Sequence, residues 1–419
     1  MTEKPYNWSD GAELAEHSHR KHKIVREYFS DYLHVRCRLP QQSKFRLAVV
    51  DAFAGGGRYA CGTPGSPIIF IQELERVVEA LNVTRATNGM ATLDVEALLI
   101  FNDRDVAAIA ALKQVVAPLE AQIKSSCSRL HLRVEYRNDT FENVYPDIKA
   151  LLRRGQFSNV LFNLDQCGHT HVATPTLTDI LLSFRSAEIF YTFVIDTLVN
   201  FLNTSKPAIL QAQLSPLGIA PEQIISLQSA MLSRQEWLGA AERIVFDVFK
   251  GCAPFVSPFS INNPEGWRYW LIHFANSPRA RQVYNNVLHD NSSMQAHFGR
   301  SGLDMLVYDP RHDAPDLFLF DGPSRQRSMT QLLDDIPRLV SARGDVISVE
   351  EFYQAVYNVT PAHSDDIHAA IADHPDMEVI TPTGGERRRA NTITIGDTIR
   401  LKNQRSFFPM FGRTGHNSK

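Results

Sequence analysis

Four carboxylates in this 419-residue chain each stand just past an apolar, β-branched-rich run: Asp51, Asp103, Asp139 and Asp165. Runs of that kind read as buried parallel strands, and carboxylates at their ends can accept hydrogen bonds from hydroxyls and amines. Phe53 and three consecutive glycines, Gly55, Gly56 and Gly57, follow Asp51. Glycines there allow positive φ and let a ligand lie against bare backbone. Asp165 is followed by Cys167, His169 and His171, which offer a nucleophile and two bases, or a plain polar turn. Near the C-terminus Arg387, Arg388 and Arg389 form a basic cluster suited to phosphates.

Strand, glycine turn and helix in succession are how α/β sheets bind nucleotides at their strand carboxyl ends. Leu47 to Val50 supplies the strand, Ser66 a helix N-cap, Pro67 the first helical position, and Ile68 to Leu81 the helix. The glycine spacing is not Gly-x-Gly-x-x-Gly, and no Gly-Lys-Ser/Thr follows, which argues against a P-loop. Asp51-x-Phe53-x-Gly55-x-Gly57 resembles motif I of S-adenosyl-L-methionine (SAM) methyltransferases. That resemblance implies that Asp51, Phe53, Gly55 and Gly57 hold the methionine end of the cofactor.

Further strands are expected at Ala97 to Phe101, Leu130 to Tyr136, Asn159 to Leu164, Glu188 to Ile195, Trp267 to Ala275 and Leu303 to Tyr308. Alternation with helices over 46–310 predicts a parallel, doubly wound, Rossmann-like sheet. A polar stretch from Asn82 to Thr92 reads as an inserted loop, and Pro207 to Lys250 as a helical insertion able to cap the site. In such sheets an acidic residue after the second strand accepts hydrogen bonds from ribose hydroxyls. Asp103 takes that part and Asp105 caps the next helix. By resemblance Asp139 holds the adenine amine; it also suits the N-cap of the helix that follows.

Asp165 opens the slot that, in amine-methylating enzymes of nucleic acids, carries Asp/Asn-Pro-Pro-aromatic and orients an exocyclic amine of a flipped base. Both prolines and the aromatic are missing here; Tyr59 and Tyr191 are candidates for the stacking ring. Cys167 also admits covalent attack on a pyrimidine, although no proline precedes it.

Glu13 to Val35 reads as a helix carrying His17, His19 and His22 among Arg20, Lys21 and Lys23. The histidines suit either a metal or a helix surface, and a basic helix before the glycine motif can cover the cofactor or touch a polyanion. Residues 325–410 change character: three helices, then a hairpin turning at Pro382 to Gly385, a winged helix-turn-helix pattern. No Lys or Arg lies between 345 and 378, so a nucleic acid here would meet the wing arginines and not the third helix. Protein docking is the alternative.

Net charge is −3, which offers no global polycation to nucleic acid. The five cysteines are scattered without Cys-x-x-Cys, against a zinc ribbon or a disulfide scaffold. The polar N-terminus and the lack of an apolar run of bilayer length point to a cytoplasmic protein with no membrane contact.

Lys21-His22-Lys23-Ile24, Asp51-x-Phe53-Ala54-Gly55-x-Gly57-x-Tyr59 and Gly65-Ser66-Pro67 together resemble the three-Cys-motif partner proteins. The similarity covers nearly the whole chain and is most specific at Phe53 to Pro67. It implies a class I methyltransferase-like domain at 46–324 behind an N-terminal helical segment, with a winged helix at 325–410. It also implies a partner, a radical-SAM-like protein bearing three cysteines, and a nucleic-acid substrate. The usual Asp-Pro-Phe-Gly of that family appears here as Asp165-Gln166-Cys167-Gly168. A non-catalytic partner that docks the three-Cys protein through its winged helix is the rival reading.

Overall fold

The computed structural model describes residues 8, 12–14, 16–166, 171–195, 206–229, 232–262, 268–292, 297–298, 301–306, 317–318 and 320–402. The alternating pattern becomes helix α1 (Glu16–Arg36), then β1 (Lys44–Asp51), α2 (Ser66–Thr87), β2 (Asp94–Asn102), α3 (Val106–Ser126), β3 (Leu130–Arg137), α4 (Phe141–Arg154), β4 (Asn159–Leu164), α5 (Thr174–Ser183) and β5 (Ser186–Phe193). Helices α6 (Pro207–Leu214), α7 (Pro221–Ser229) and α8 (Arg234–Lys250) lead to β6 (Phe255–Asn262), β7 (Arg268–Ala275) and α9 (Pro278–Asp290). A small pair, β8 (His297–Phe298) and β9 (Leu317–Phe318), precedes the last domain.

The main sheet has seven strands in the order β3-β2-β1-β4-β5-β7-β6. Strands β1 to β5 are parallel, and β7 is antiparallel to both neighbours. Strand order therefore reverses between β1 and β4, the place where open α/β sheets bind ligands. Leu47, Ala48, Val49 and Val50 are fully buried because both faces of the sheet are covered. One face packs on α1, α2, α3 and α9, the other on α4, α5 and the α6–α8 insertion. Leu210 and Leu214 of α6 join Tyr191, Phe193 and Trp270 in the second core.

Three expectations need correction. The stretch Asn82 to Thr92 is not an inserted loop, because α2 runs on to Thr87. Asn82 bonds the Leu93 amide and carbonyl, and the buried Arg85 guanidinium donates to the carbonyls of Cys37, Leu39, Gln42 and Ala91. Those contacts give the polar residues a structural use. Leu303 to Tyr308 is not a sheet strand: 303–306 is a turn and 307–308 lie outside the described residues. Leu303 and Met305 bury in the winged-helix core instead. The far edge of the sheet belongs to β6, whose Pro258 and serines break the strand pattern and are tolerated at an edge. The sheet is thus mostly, not wholly, parallel. Helix α3 is the one described helix long and apolar enough to cross a membrane, yet Ala108, Ile109, Leu112, Val116 and Ile123 pack it on the sheet.

The C-terminal domain comprises α10 (Gly322–Ala342), β10 (Val346–Ser348), α11 (Val349–Val356), α12 (Ser364–Asp373), β11 (Met377–Ile380), β12 (Glu386–Arg387) and β13 (Thr398–Leu401). Ser348 and Glu351 form a capping box that starts α11. Strands β10, β13, β11 and β12 make an antiparallel sheet in that order, completing a winged helix. Its anchor to the main domain is Arg281 of α9, wholly buried. The guanidinium donates to Ser364 Oγ at 2.8 Å and the Thr360 carbonyl at 2.7 Å, and lies 4.1 Å from the Tyr357 ring centroid. Asn285 and His289 of the same helix bond the Pro361 carbonyl.

Replacing Arg281 by Ala strands those acceptors and empties the site. The expected cost is roughly 2–4 kcal/mol, read as a lowered midpoint in denaturant unfolding. An unchanged midpoint would remove Arg281 as the anchor.

Candidate functional site

The carboxyl ends of β1 to β4 open into a cleft of about 510 Å³. Asn102, the last residue of β2, shapes its floor. Its Nδ2 donates to the carbonyls of Ala52 and Asp139, both at 3.0 Å, and its own carbonyl accepts from Ala54 N at 2.8 Å. One side chain therefore ties together the chain as it leaves β1, β2 and β3.

Phe53, Gly55, Asp103, Asp139 and Asp165 all line this cleft, although 110 residues and more separate the first from the last. Asp103 accepts from Gly55 N and Asp105 N, both at 2.9 Å, which fixes the glycine turn to the end of β2. Burial pushes its carboxyl up from the ordinary value. Asp105 caps α3 through Ala107 N at 2.8 Å. Asp139 Oδ1 accepts from Thr140 N and Asn143 Nδ2, at 2.6 and 3.1 Å. The N-cap of α4 is Thr140 rather than Asp139.

Asp51 and Gly57 do different work from that expected of them. Asp51 is fully buried and lies off the cleft surface, so it offers nothing to a cofactor ammonium. Asn163 donates to its Oδ1 at 3.0 Å. Burial pushes this carboxyl up to about 7, against hydrogen bonds from Ser66 and Asn163 that pull the other way. Gly57 has φ +82°, and a Cβ there would stand 2.7 Å from Leu112 Cδ1, on the core side. Its bareness admits α3 and the tight turn back to Gly65, whose amide donates to the Gly57 carbonyl. At Gly55, φ +60°, a Cβ would collide with the Trp8 indole, which lies across the turn.

Helix α1 closes the cleft near Asp165 with Lys21 and His22, residues that the sequence placed on a basic helix able to cover a cofactor but gave no role of their own in the site. Lys21 Nζ sits 2.5 Å from Asp165 Oδ1, with side chains 8% and 23% exposed. Burial raises the Asp165 carboxyl; the Lys21 ammonium overrides that and holds it below its ordinary value. His22, beside them, is lowered to about 4 by burial and is therefore neutral near pH 7; its Nδ1 has no partner. Tyr59 lines the same wall, 5.5 Å from Trp8 and 5.8 Å from His22 between ring centroids. Tyr191 is buried in the core with its hydroxyl on the Val172 carbonyl, and cannot stack on a substrate.

Cys167 and His169 lie outside the described residues. Gln166, where the family resemblance expects proline, is buried and receives the amides of His171 and Val172 at 3.0 and 3.1 Å, which ties 171–172 to the end of β4. Among the described residues no group of three or more His, Cys, Asp or Glu can hold a metal ion.

The winged helix also departs from expectation. Arg387 is half-buried and bound to the wholly buried Asp397, at 3.1 and 3.3 Å, so it is a structural residue and not a phosphate ligand. Arg388 and Arg389 are exposed. The third helix, α12, turns Ile367, Ala370 and Ile371 into the core, and its Asp366 pairs in a fork with Arg325 at 2.7 Å.

Residues 307–384 match the family described as the GMT-like wHTH domain. No curated protein matches the chain.

Asp51 makes the fold sensitive to pH in a defined direction. Its folded value of about 7 exceeds the ordinary 3.8, so its contribution to stability is complete below about 4 and is lost as pH rises through about 7. Asp51→Asn cannot ionise. Its stability should therefore fall less than the wild type's between pH 4 and 8, by on the order of 3 kcal/mol. Parallel stability–pH curves for the two proteins would contradict this.

Proposed function

We propose that this chain is a SAM-dependent methyltransferase-like protein of the three-Cys-motif partner type, acting on a nucleic-acid amine. The observation that carries the reading is the convergence of the glycine turn, Asp103, Asp139 and Asp165 on one cleft at the switch point of the sheet. A volume of about 510 Å³ falls within the range of small-molecule sites. Two carboxylates, Asp103 and Asp139, stand where a nucleoside presents hydroxyls and an amine, beside the Gly55 turn that Trp8 covers.

In this reading the Gly55 turn and Phe53 hold the methionine end. Asp103 has two of its acceptor positions on backbone amides and keeps others for the ribose hydroxyls. Asp139 keeps Oδ2 for the adenine amine, and Asp165 orients the acceptor. The cofactor supplies a methyl group made electrophilic by its sulfonium. Asp51 serves from below, as a support for the turn, rather than as a ligand.

A second reading, a docking protein for the three-Cys partner, is favoured by α12, whose apolar residues face the core, whose Asp366 pairs with Arg325, and whose exposed charges, Asp365 and Asp373, are acidic. The third helix, α12, carries no Lys or Arg to offer a DNA groove, which leaves the wing for nucleic acid and other surfaces for protein.

Calorimetry with S-adenosylhomocysteine tests the cofactor site. The wild type should bind, and Asp103→Ala should lose roughly 1–3 kcal/mol. No heat at millimolar ligand would contradict the reading. For the wing, replacing Arg388 and Arg389 by Ala should flatten the slope of log affinity against log salt by about 2 on duplex DNA, at about 0.9 for each phosphate contact. A wild type with no salt-dependent binding to DNA or RNA would leave the domain as a protein-docking module.

A further inference from the structure

The Lys21–Asp165 pair joins residues 144 positions apart, so local geometry does not impose it. Burying a lysine ammonium at 8% exposure is costly, and a pair in the wall of a cleft shapes what that cleft accepts. Alone, Asp165 would present an uncompensated carboxylate and favour any cation, such as an alkylammonium. Lys21 on Oδ1 compensates the carboxylate charge, and Asp165, which also receives the Thr192 hydroxyl, keeps lone pairs that can accept an N–H. His22 adds no charge near neutral pH. Tyr59 and Phe53 give the same cleft flat aromatic surface.

We propose that Lys21 is a specificity-determining residue: by pairing with Asp165 it makes the acceptor end of the cleft select an uncharged amine on a planar heterocycle, as on a nucleobase, against an alkylammonium such as a protein lysine. This rests on the cofactor reading above and narrows its substrate class.

The test compares two ligands that need no known substrate: S-adenosylhomocysteine, and sinefungin, in which an amine stands in place of the sulfonium methyl. Affinities are measured by calorimetry near neutral pH on the full chain. Lys21→Met should raise the sinefungin-to-S-adenosylhomocysteine affinity ratio about tenfold, since the ammonium then meets an uncompensated carboxylate. Lys21→Arg should hold the ratio within about twofold of wild type. Asp165→Asn, which leaves Lys21 alone, should lower it about tenfold, and keeps the proposal testable if Lys21→Met does not fold. S-Adenosylhomocysteine bound normally with the ratio unmoved in these variants would overturn the role of Lys21. A wild type that binds neither ligand would overturn the cofactor reading itself, and this inference with it.

Discussion

Everything around the cleft depends on the hydrogen bonds of Asn102. Parallel strands end with carbonyls and amides that have no ladder partner, and in a buried place each needs one. Asn102 is 1% exposed and meets that need for the segments leaving β1 and β3 at once. Asp103 then takes the Gly55 amide, so the glycine turn is held against the end of β2. With the floor fixed in this way, the cleft walls can come from distant parts of the chain without loss of position.

Those walls come from α1 on one side and from Asp165, Gln166 and His171, next to β4, on the other. Helix α1 lies on the sheet through Tyr28, Phe29 and Leu33, which are all but fully buried. That packing delivers Lys21 and His22 to the cleft. Further along the same helix, Tyr28 donates to Glu188, which also meets His273 at 3.3 Å, a polar cluster sealed in the core beneath α9. Helix α9 in turn carries Arg281, the anchor of the winged helix. One layer of helices therefore connects the cleft to the C-terminal domain through continuous packing.

Much of the α/β domain was legible in the sequence because its strands are buried on both faces and read as unbroken apolar runs. The order of Asp103, Asp139 and Asp165 followed from counting those runs. What failed did so for identifiable reasons. Asp51 looks like a ligand in sequence, but the register that places it opposite Asn163 and Phe101 also seals it. In sequence, Lys21 and His22 fit a solvated helix face, a metal site or a helix covering a cofactor equally, because only tertiary docking of α1 turns them toward the cleft. Arg387 is indistinguishable in sequence from Arg388, and only the antiparallel wing gives it Asp397. Strand β6 was hidden by Pro258, and the apolar residues from Leu303 belong to a core that local pattern cannot assign.

The central claim is that the cleft above Asn102 is a nucleoside-cofactor site and that α1 forms part of it. Hydrogen exchange of the full chain with and without S-adenosylhomocysteine addresses it residue by residue. Protection should rise at Phe53 to Gly57, at Asp103 to Asp105, around Asp139 and in the first turns of α1, with the winged helix from 346 to 402 unchanged. Exchange unaltered at those positions, or protection confined to the winged helix, would contradict the account.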